Sequence, residues 1–565
     1  MADKRITEIL SRWRGLKGGR DLWSQHWEDL ARVQLPRRLG FVTAVIEGDR
    51  RTEDLYDGTA IQASRSLANQ FGGRLRPEGE SWFFLRTAED ADMRDDEAKE
   101  WLADTEQRLR DAFDNPVARF RQASGETDHD LVVFGTAIMG TFEQVGRRAL
   151  LFQSCHLKDA IPVWGENGNL EGMFRSRMLT LRQAEARFGR EKLSEATRNR
   201  FGQGDKALDE KIEFLFAVLP RKEGKPGARL ARNMPIADIV IEVEASHEVQ
   251  VSGYHEMPYI VPRWDTSSGE DYGRSPGMVA LPDSNTAQAM GETMLVAGQR
   301  AADPPILVPS DAFIDAPNTF PGGLGHYEAD AIRDLGFDPF KVLDVGRNFP
   351  LSRDMQQDTR DMIRSAFLRD RFNLPLPGEA DMTATEVNAR LREFIDEMGP
   401  VFGRLEADYT APMVERAFKL VLRAGGFKPV PPSLQGRSVV FEYESPVKRI
   451  RDQAQSVVDD QWVQRHVDLA IATQRPEILD RVDFDGYSRI SAEGLGVSKG
   501  VQNGDGRVDQ MRQARAQALQ EAQAAAEISS TVNTLDVAAS AAQKAGLTNQ
   551  NQQPAAAPAA QQGAQ

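Results

Sequence analysis

Between residues 304 and 350 the chain carries seven prolines (Pro304, Pro305, Pro309, Pro317, Pro321, Pro339 and Pro350) and the pair Gly322-Gly323. Proline removes a backbone donor and fixes φ, so this stretch is limited to short strands and turns. Helical patterns stand on both sides of it. Upstream, Pro282-Asp283-Ser284 opens a helix with Asp283 or Ser284 as N-cap, and Asp303-Pro304-Pro305 ends it. Downstream, a helix from Ser352 to about Phe372 stacks Met355, Thr359, Met362, Ile363, Ala366 and Phe367 on one apolar face. The order helix, non-helical insert, helix constrains every architecture considered below.

The rest of the 565 residues divides by pattern. The first 150 read as helices broken by loops: Trp13, Leu22, Trp23, Trp27 and Leu30 recur near helical spacing, and 96–113 is strongly amphipathic. From about 150 to 264 alternation and β-formers take over, as in 211–220, 236–246 and 259–264, separated by Gly, Pro and Asn turns. After Leu374–Met382 interrupts the helical pattern, Thr383 and Glu386 form a capping box. The helix it opens buries Leu391, Phe394, Ile395 and Met398, is expected to kink near Pro400, and resumes through Phe402, Leu405, Met413, Phe418 and Leu422 to Gly425-Gly426. A short strand at 438–445 precedes helical sequence from Val447 to about Ala525. From 526 onward Ala, Gln, Asn and Ser dominate, and so few large apolar side chains cannot offset chain entropy. The expected class is α+β, predominantly helical.

Charge and cysteine usage bound the function. Asp and Glu number 85 against 70 Lys and Arg, a net charge of −15, which argues against broad phosphate neutralisation; any DNA partner is expected to be guided rather than gripped. The single Cys155 permits no internal disulfide and no cysteine zinc cluster, and reads as a buried apolar residue in a chain suited to a reducing cytoplasm. No secretory leader and no membrane-spanning run is expected, since even 131–142 is short of the ~18 apolar residues a span needs.

No catalytic constellation emerges. The seven histidines (26, 129, 156, 247, 255, 326 and 466) lack ligand spacing. Gly322-Gly323-Leu324-Gly325-His326 lacks the Lys-Ser/Thr of a phosphate loop. Asp483-Phe484-Asp485-Gly486 and Asn503-Gly504-Asp505-Gly506 are incomplete as calcium loops and read as turns. Acidic clusters at Glu89–Asp92 and Asp95–Glu97 read as solvated surface or a helix start. No cofactor and no enzymatic activity are expected. More informative are Arg353, Gln357, Arg360, Arg364 and Arg371, which stack into a polar stripe opposite the apolar face of the second flanking helix. That stripe either pairs with Asp354, Asp358 and Asp361 or a neighbouring subunit, or faces phosphates.

Four strings carry a resemblance: SGEDYGRSPGMVALPD (268–283), ADPPILVP (302–309), MTATEVNARLREF (382–394) and GPVFGRLEADYTAPMVERAF (399–418). Together, in order and over roughly residues 5–520, the chain resembles the head-to-tail connector, or portal, family of short-tailed double-stranded DNA bacteriophages. The resemblance implies a portal fold with a wing (1–282), first stem helix (283–303), clip (304–350), second stem helix (351–373), tunnel loop (374–382), long wing helix and strand (383–446), crown (447–525) and tail (526–565). It places Leu374, Pro375, Leu376, Pro377, Gly378, Glu379, Ala380, Asp381 and Met382 in the tunnel loop, and makes Arg353, Arg360, Arg364 and Arg371 candidates to face the channel. It further implies a ring of twelve copies at one capsid vertex, assembled in the host cytoplasm, that conducts DNA during packaging and ejection. The implied partners are terminase, major capsid and scaffolding proteins and a tail adaptor, with no membrane. An adaptor or internal core protein of the virion, and a metal-dependent packaging nuclease, are the alternative readings. One departure from the family pattern is Ser445-Pro446-Val447-Lys448-Arg449, where relatives carry a more apolar Ser-Pro-Leu-Ala run.

Overall fold

Strand β6 (Lys211–Pro220) alternates apolar residues to both sides, and the two sides meet different covers. In the computed structural model, β6 is the centre of a five-stranded antiparallel sheet, ordered β4 (Ala160–Trp164), β5 (Leu170–Thr180), β6, β7 (Ile236–Glu242), β8 (His247–Tyr254). Leu215 and Ala217, with Ile239 and Ile241 of β7, pack under helix α1 (Ala2–Gly19). That helix contributes Ile6, Ile9, Leu10 and Trp13, an i, i+3, i+4, i+7 stripe. Phe214, Phe216 and Val240 point to the other face, covered by α6 (Leu181–Phe188). A capping box of Thr180 and Gln183 starts α6, and Ser194 caps the short α7 (Glu195–Arg200). The structure describes residues 2–46, 48–78, 81–87, 96–144, 149–302, 306–307, 341–342, 349–368, 398–435, 439–443, 446–494, 507–524 and 537.

The larger core lies among α3 (Thr59–Leu75), α4 (Asp96–Asp114), α5 (Phe120–Phe134) and a helical stretch from 398 to 423. Two strands fall inside the first 150 residues, where the pattern predicts only helices and loops. The first, β1 (Phe83–Thr87), pairs antiparallel with β12 (Val439–Tyr443), Leu85 opposite Phe441. The second, β2 (Ile138–Gln144), lies between β3 (Ala149–Cys155) and β9 (Tyr259–Ile260). Both form because tertiary partners far along the chain supply their ladder bonds, a signal local periodicity lacks.

Helix 398–423 is described from two residues before Pro400, and the turn where the expected kink would form lies outside the described residues. Its irregularity is a π-turn at Glu406–Thr410, where Ala411 N–H donates to the Glu406 carbonyl five residues back. Pro412 explains the position: it has no N–H for the carbonyl four residues earlier, and the wider turn re-pairs the backbone before α10 (Ala411–Arg423) continues. The turn delivers Tyr409 into the core fully buried. Beyond β12 follow α11 (Pro446–Thr473), α12 (Phe484–Gly494) and α13 (507–524). Asp483 Oδ1 accepts from the amides of Asp485 (3.1 Å) and Gly486 (3.0 Å), so the first calcium-like string is the start of α12. Gly322–His326, Asn503–Gly506 and Glu89–Asp95 lie outside the described residues. Among the described residues, no helix is long and apolar enough to cross a membrane.

Helix α2 (Asp21–Gln34) and the junction of α5 with β3 enclose two neutral histidines. His129 sits between Arg37 Nη2 (3.0 Å) and Ser64 Oγ (3.3 Å). His156 takes the Lys158 amide on Nδ1 (3.1 Å) and donates from Nε2 to the Arg38 carbonyl (3.0 Å). Burial, then the arginines around it, pushes His129 down to about 3. Burial and Arg38 push His156 down to about 4. Because the unfolded chain protonates these rings near pH 6.5, their stabilisation is complete above that pH and is lost as pH falls toward 4 and then 3. Between pH 6.5 and 5 the expected loss is up to ~2 kcal/mol per histidine, at ~1.4 kcal/mol per pH unit. Urea midpoints at pH 7.5 and 5.0 measure it, and His129→Gln, which takes no proton, should show a shallower drop than the natural chain.

Candidate functional site

The proline-rich insert is flanked by α8 (Leu281–Ala302) and α9 (Phe349–Ala366). Within 304–350 the described residues include β10 (Ile306–Leu307) paired antiparallel with β11 (Lys341–Val342), so the chain leaving α8 returns beside itself toward α9. Helix α8 starts before the expected Pro282–Ser284 signal. Ser275 is the cap of the preceding turn Pro276–Val279, accepting from Met278 N–H (3.0 Å), with Pro276 at its first position. Ser284, read as a possible cap, is inside the helix, and its hydroxyl donates to the Ala280 carbonyl (2.6 Å). Helix α9 likewise starts at Phe349 rather than Ser352, with Pro350 tolerated because first-turn amides have no helical acceptor.

The string from Gly273 to Gly277 anchors α8 against the end of α5. Gly273 N–H donates to Thr136 Oγ1 (2.7 Å), Ser275 Oγ donates to the Val133 carbonyl (2.7 Å), and Gln34 Nε2 donates to the Gly277 carbonyl (2.7 Å). There is no room for side chains at this crossing. A Cβ on Gly277 would stand 2.5 Å from Gln34 Oε1 and 2.7 Å from the Val133 carbonyl, and one on Gly135 or Gly273 would run into the other's carbonyl oxygen.

Helices α8 and α9 pack along one seam. Thr359 Oγ1 lies 3.8 Å from Met290 Sδ, and Ile363 and Phe367 enter the main core with Ala280 and Ala287. The seam is Gln356, Thr359, Ile363 and Phe367; Met355 and Met362, expected on the buried face, are about half exposed. They stand one position to its side, so α8 does not cover them. Leu295 and Val296 of α8 are exposed as well.

The base of the pair is clasped by the loop before α3. Gln288 Oε1 accepts from the amides of Tyr56 (2.7 Å) and Asp57 (2.9 Å), and its Nε2 donates to the Asp57 carbonyl (2.6 Å). Arg360 Nε donates to Asp57 Oδ2 (2.8 Å), while Asp57 Oδ1 accepts from Thr59 N–H (2.8 Å). Burial alone would raise the Asp57 carboxyl, but these donors outweigh it and hold it below the ordinary carboxylate range. Of the polar stripe, Arg353 is exposed, Arg364 pairs with Asp361 (2.6 Å), and Gln357 Nε2 donates to the same carboxylate (3.1 Å). Arg371 and the whole of Leu374–Met382 lie outside the described residues. Asp57 and Gln288 escape a reading of the sequence. Asp57-Gly58-Thr59 carries a helix-start signal, but nothing local announces the helix pair as its partner.

The family model described as bacteriophage head to tail connecting protein matches residues 6–502, spanning both flanking helices and their seat. The chain belongs to this family. Head to tail connecting proteins form a structural family, and two curated relatives match this chain over nearly its whole length. The chain is 28% identical over 538 residues to a "Probable portal protein" of Bordetella phage BPP-1, covering 93% of this chain and 94% of that protein. It is 27% identical over 538 residues to the "Portal protein" of Salmonella phage epsilon15, with the same coverage of both chains. The mixed, predominantly helical fold is that expected of a head to tail connecting protein, and the Gly273–Gly277 crossing lies within the matched region.

Proposed function

We propose that this chain is a portal subunit: copies close into a ring at one capsid vertex, conduct the genome during packaging and ejection, and attach head to tail. The observation that carries the reading is the helix pair α8–α9, seated firmly at its base yet bare on Leu295, Val296, Met355 and Met362. Exposed apolar side chains on both helices of the pair call for neighbours, and a closed ring of identical copies supplies them. Twelve copies, a terminase motor, capsid and scaffolding proteins and a tail adaptor complete the proposal, with assembly in the host cytoplasm and residence in the virion. The role is structural, without catalysis. Negative-stain imaging of the purified full chain tests it: closed rings with a central hole are expected, and separate subunits at every concentration would overturn it. ATP turnover, or DNA cleavage dependent on a divalent ion, would favour a packaging enzyme instead.

Within that reading, Leu374–Met382 is the loop that approaches DNA, and its Glu379 and Asp381 repel phosphates rather than clamp them. Deleting 376–381 should leave rings intact while reducing packaged or retained DNA. The arginines divide by environment. Arg353, which is exposed, and Arg364, which pairs with Asp361 on its own helix, are the stripe residues this reading leaves to attract phosphates, so changing both to Gln should alter DNA retention in a salt-dependent manner with rings preserved. Arg360→Gln should instead loosen the seat. Leaving the buried Asp57 carboxylate short of a donor costs about 1–3 kcal/mol, read as a lower thermal midpoint, with Asp57→Asn in the same background recovering part of it.

A further inference from the structure

Strand β5 places two arginines on one face of the five-stranded sheet. Arg175 stands opposite Phe216 and Arg177 opposite Phe214, so both side chains share the face that α6 covers. From α6, Arg187 lays its guanidinium 4.7 Å from the centre of the same Phe216 ring. A strand and the helix above it thus bring three arginines together. At about 3.3 Å of rise per residue, Arg175 and Arg177 leave the strand roughly 7 Å apart, room for one tetrahedral oxyanion between two guanidinium groups.

None of the three has a described carboxylate at ion-pair distance. Arg175 and Arg177 are partly buried, and Arg175 Nε is enclosed without a hydrogen-bond partner. Burial, then Arg175 and Arg187, holds the Arg177 guanidinium below its ordinary value. The acids nearby are engaged by other groups. Asp238 accepts from Ser252 Oγ and Tyr254 Oη, each at 3.2 Å. Asp159 is shared among Arg20, Lys158, Arg175 and Arg177. Burial raises both carboxyls, and it pushes the nearby Cys155 thiol up as well, so the thiol adds no negative charge at neutral pH. Five cations thus face two carboxyls, in a chain whose net charge is −15. Charges withdrawn from water are ordinarily paired, and here the chain does not supply the partner.

We propose that Arg175, Arg177 and Arg187 form a binding site for a phosphate group. The oxyanion enters past Arg187, which is exposed, and rests between the two guanidinium groups of β5. Phosphate fits better than a carboxylate because its tetrahedral oxygens accept from three guanidinium forks at once, while a carboxylate has two oxygens in one plane. The site is complete within one subunit and does not depend on the ring.

Calorimetric titration of inorganic phosphate into the purified full chain, against chloride at matched ionic strength, tests the proposal. One phosphate per chain is expected, with affinity lower by about tenfold or more in Arg177→Gln. Thermal midpoints give a readout that a purely structural arginine would not. In chloride the variant should be at least as stable as the natural chain, because one of three repelling charges is gone. In phosphate only the natural chain should gain. A natural chain that binds no phosphate beyond the chloride control, or a variant that binds it equally well, overturns the proposal. So does a variant that loses stability in chloride, since Arg177 would then be paired within its own chain. A short DNA duplex added to the loaded protein separates the sources: displacement of the bound phosphate identifies nucleic-acid backbone, and retention identifies free phosphate or a phosphate monoester.

Discussion

Arg76→Ala or Asp128→Ala should destabilise the subunit by about 3–5 kcal/mol, the usual result of leaving one partner of a buried ion pair without the other. Arg76 closes the end of α3 and Asp128 lies in α5, and the two bond in direct contact with almost no exposure of either side chain. The Arg76 guanidinium also lies 4.9 Å from the ring of Tyr409, which the π-turn delivers. Three elements thus meet at one charge pair. Burial pushes the Asp128 carboxyl upward, and the adjacent guanidinium opposes that push. Urea unfolding of each single variant should show the full loss. The double variant Arg76→Met with Asp128→Leu should recover a large part of it, because no charge is then stranded. A double variant as unstable as the two singles added together would show that the ion pair is not the cause.

Gly277→Ala and Gly135→Ala should abolish or severely reduce soluble protein, whereas Gly125→Ala should stabilise it. At Gly277 the methyl group has nowhere to go between Gln34 and Val133, and overpacking of this kind costs about 1–3 kcal/mol or more. Gly135 adds a left-handed φ of 75° that an alanine adopts only with strain. Gly125 is inside α5, and a Cβ added there would have nothing within 4 Å. The substitution at that position should gain about 0.5–1 kcal/mol from helix propensity alone. Soluble yield and urea midpoint read both signs in one experiment. Equal effects at Gly277 and Gly125 would sink the argument from space.

Periodicity in the sequence is enough for α1, α4, β6 and the two helices flanking the insert, because each buries a regular stripe. It places β12 without its partner, since β1 stands more than three hundred residues away in a stretch that reads as helices broken by loops. The four family strings are recognisable as strings. The physical reason for Gly273 and Gly277 emerges only when α5 and Gln34 are brought against them. The arginine stripe is legible as a face. Arg364 meets Asp361 on its own helix, one of the pairings the spacing allows, but Arg360 finds Asp57, 303 residues earlier, and no local rule anticipates such a partner. Met355 and Met362 satisfy the apolar period and are exposed in the single chain, because hydrophobicity marks what needs cover without saying which molecule provides it.

The pairing of β1 with β12 also sets a timetable for synthesis. Phe83 and Leu85 leave the ribosome about 350 residues before the strand that completes their sheet, an interval of tens of seconds at ~5–20 residues per second. Throughout it the nascent chain has an unpaired strand edge and an open aromatic core around Trp82, Phe113 and Phe120. A chaperone that shields that edge would set how many chains survive translation to fold.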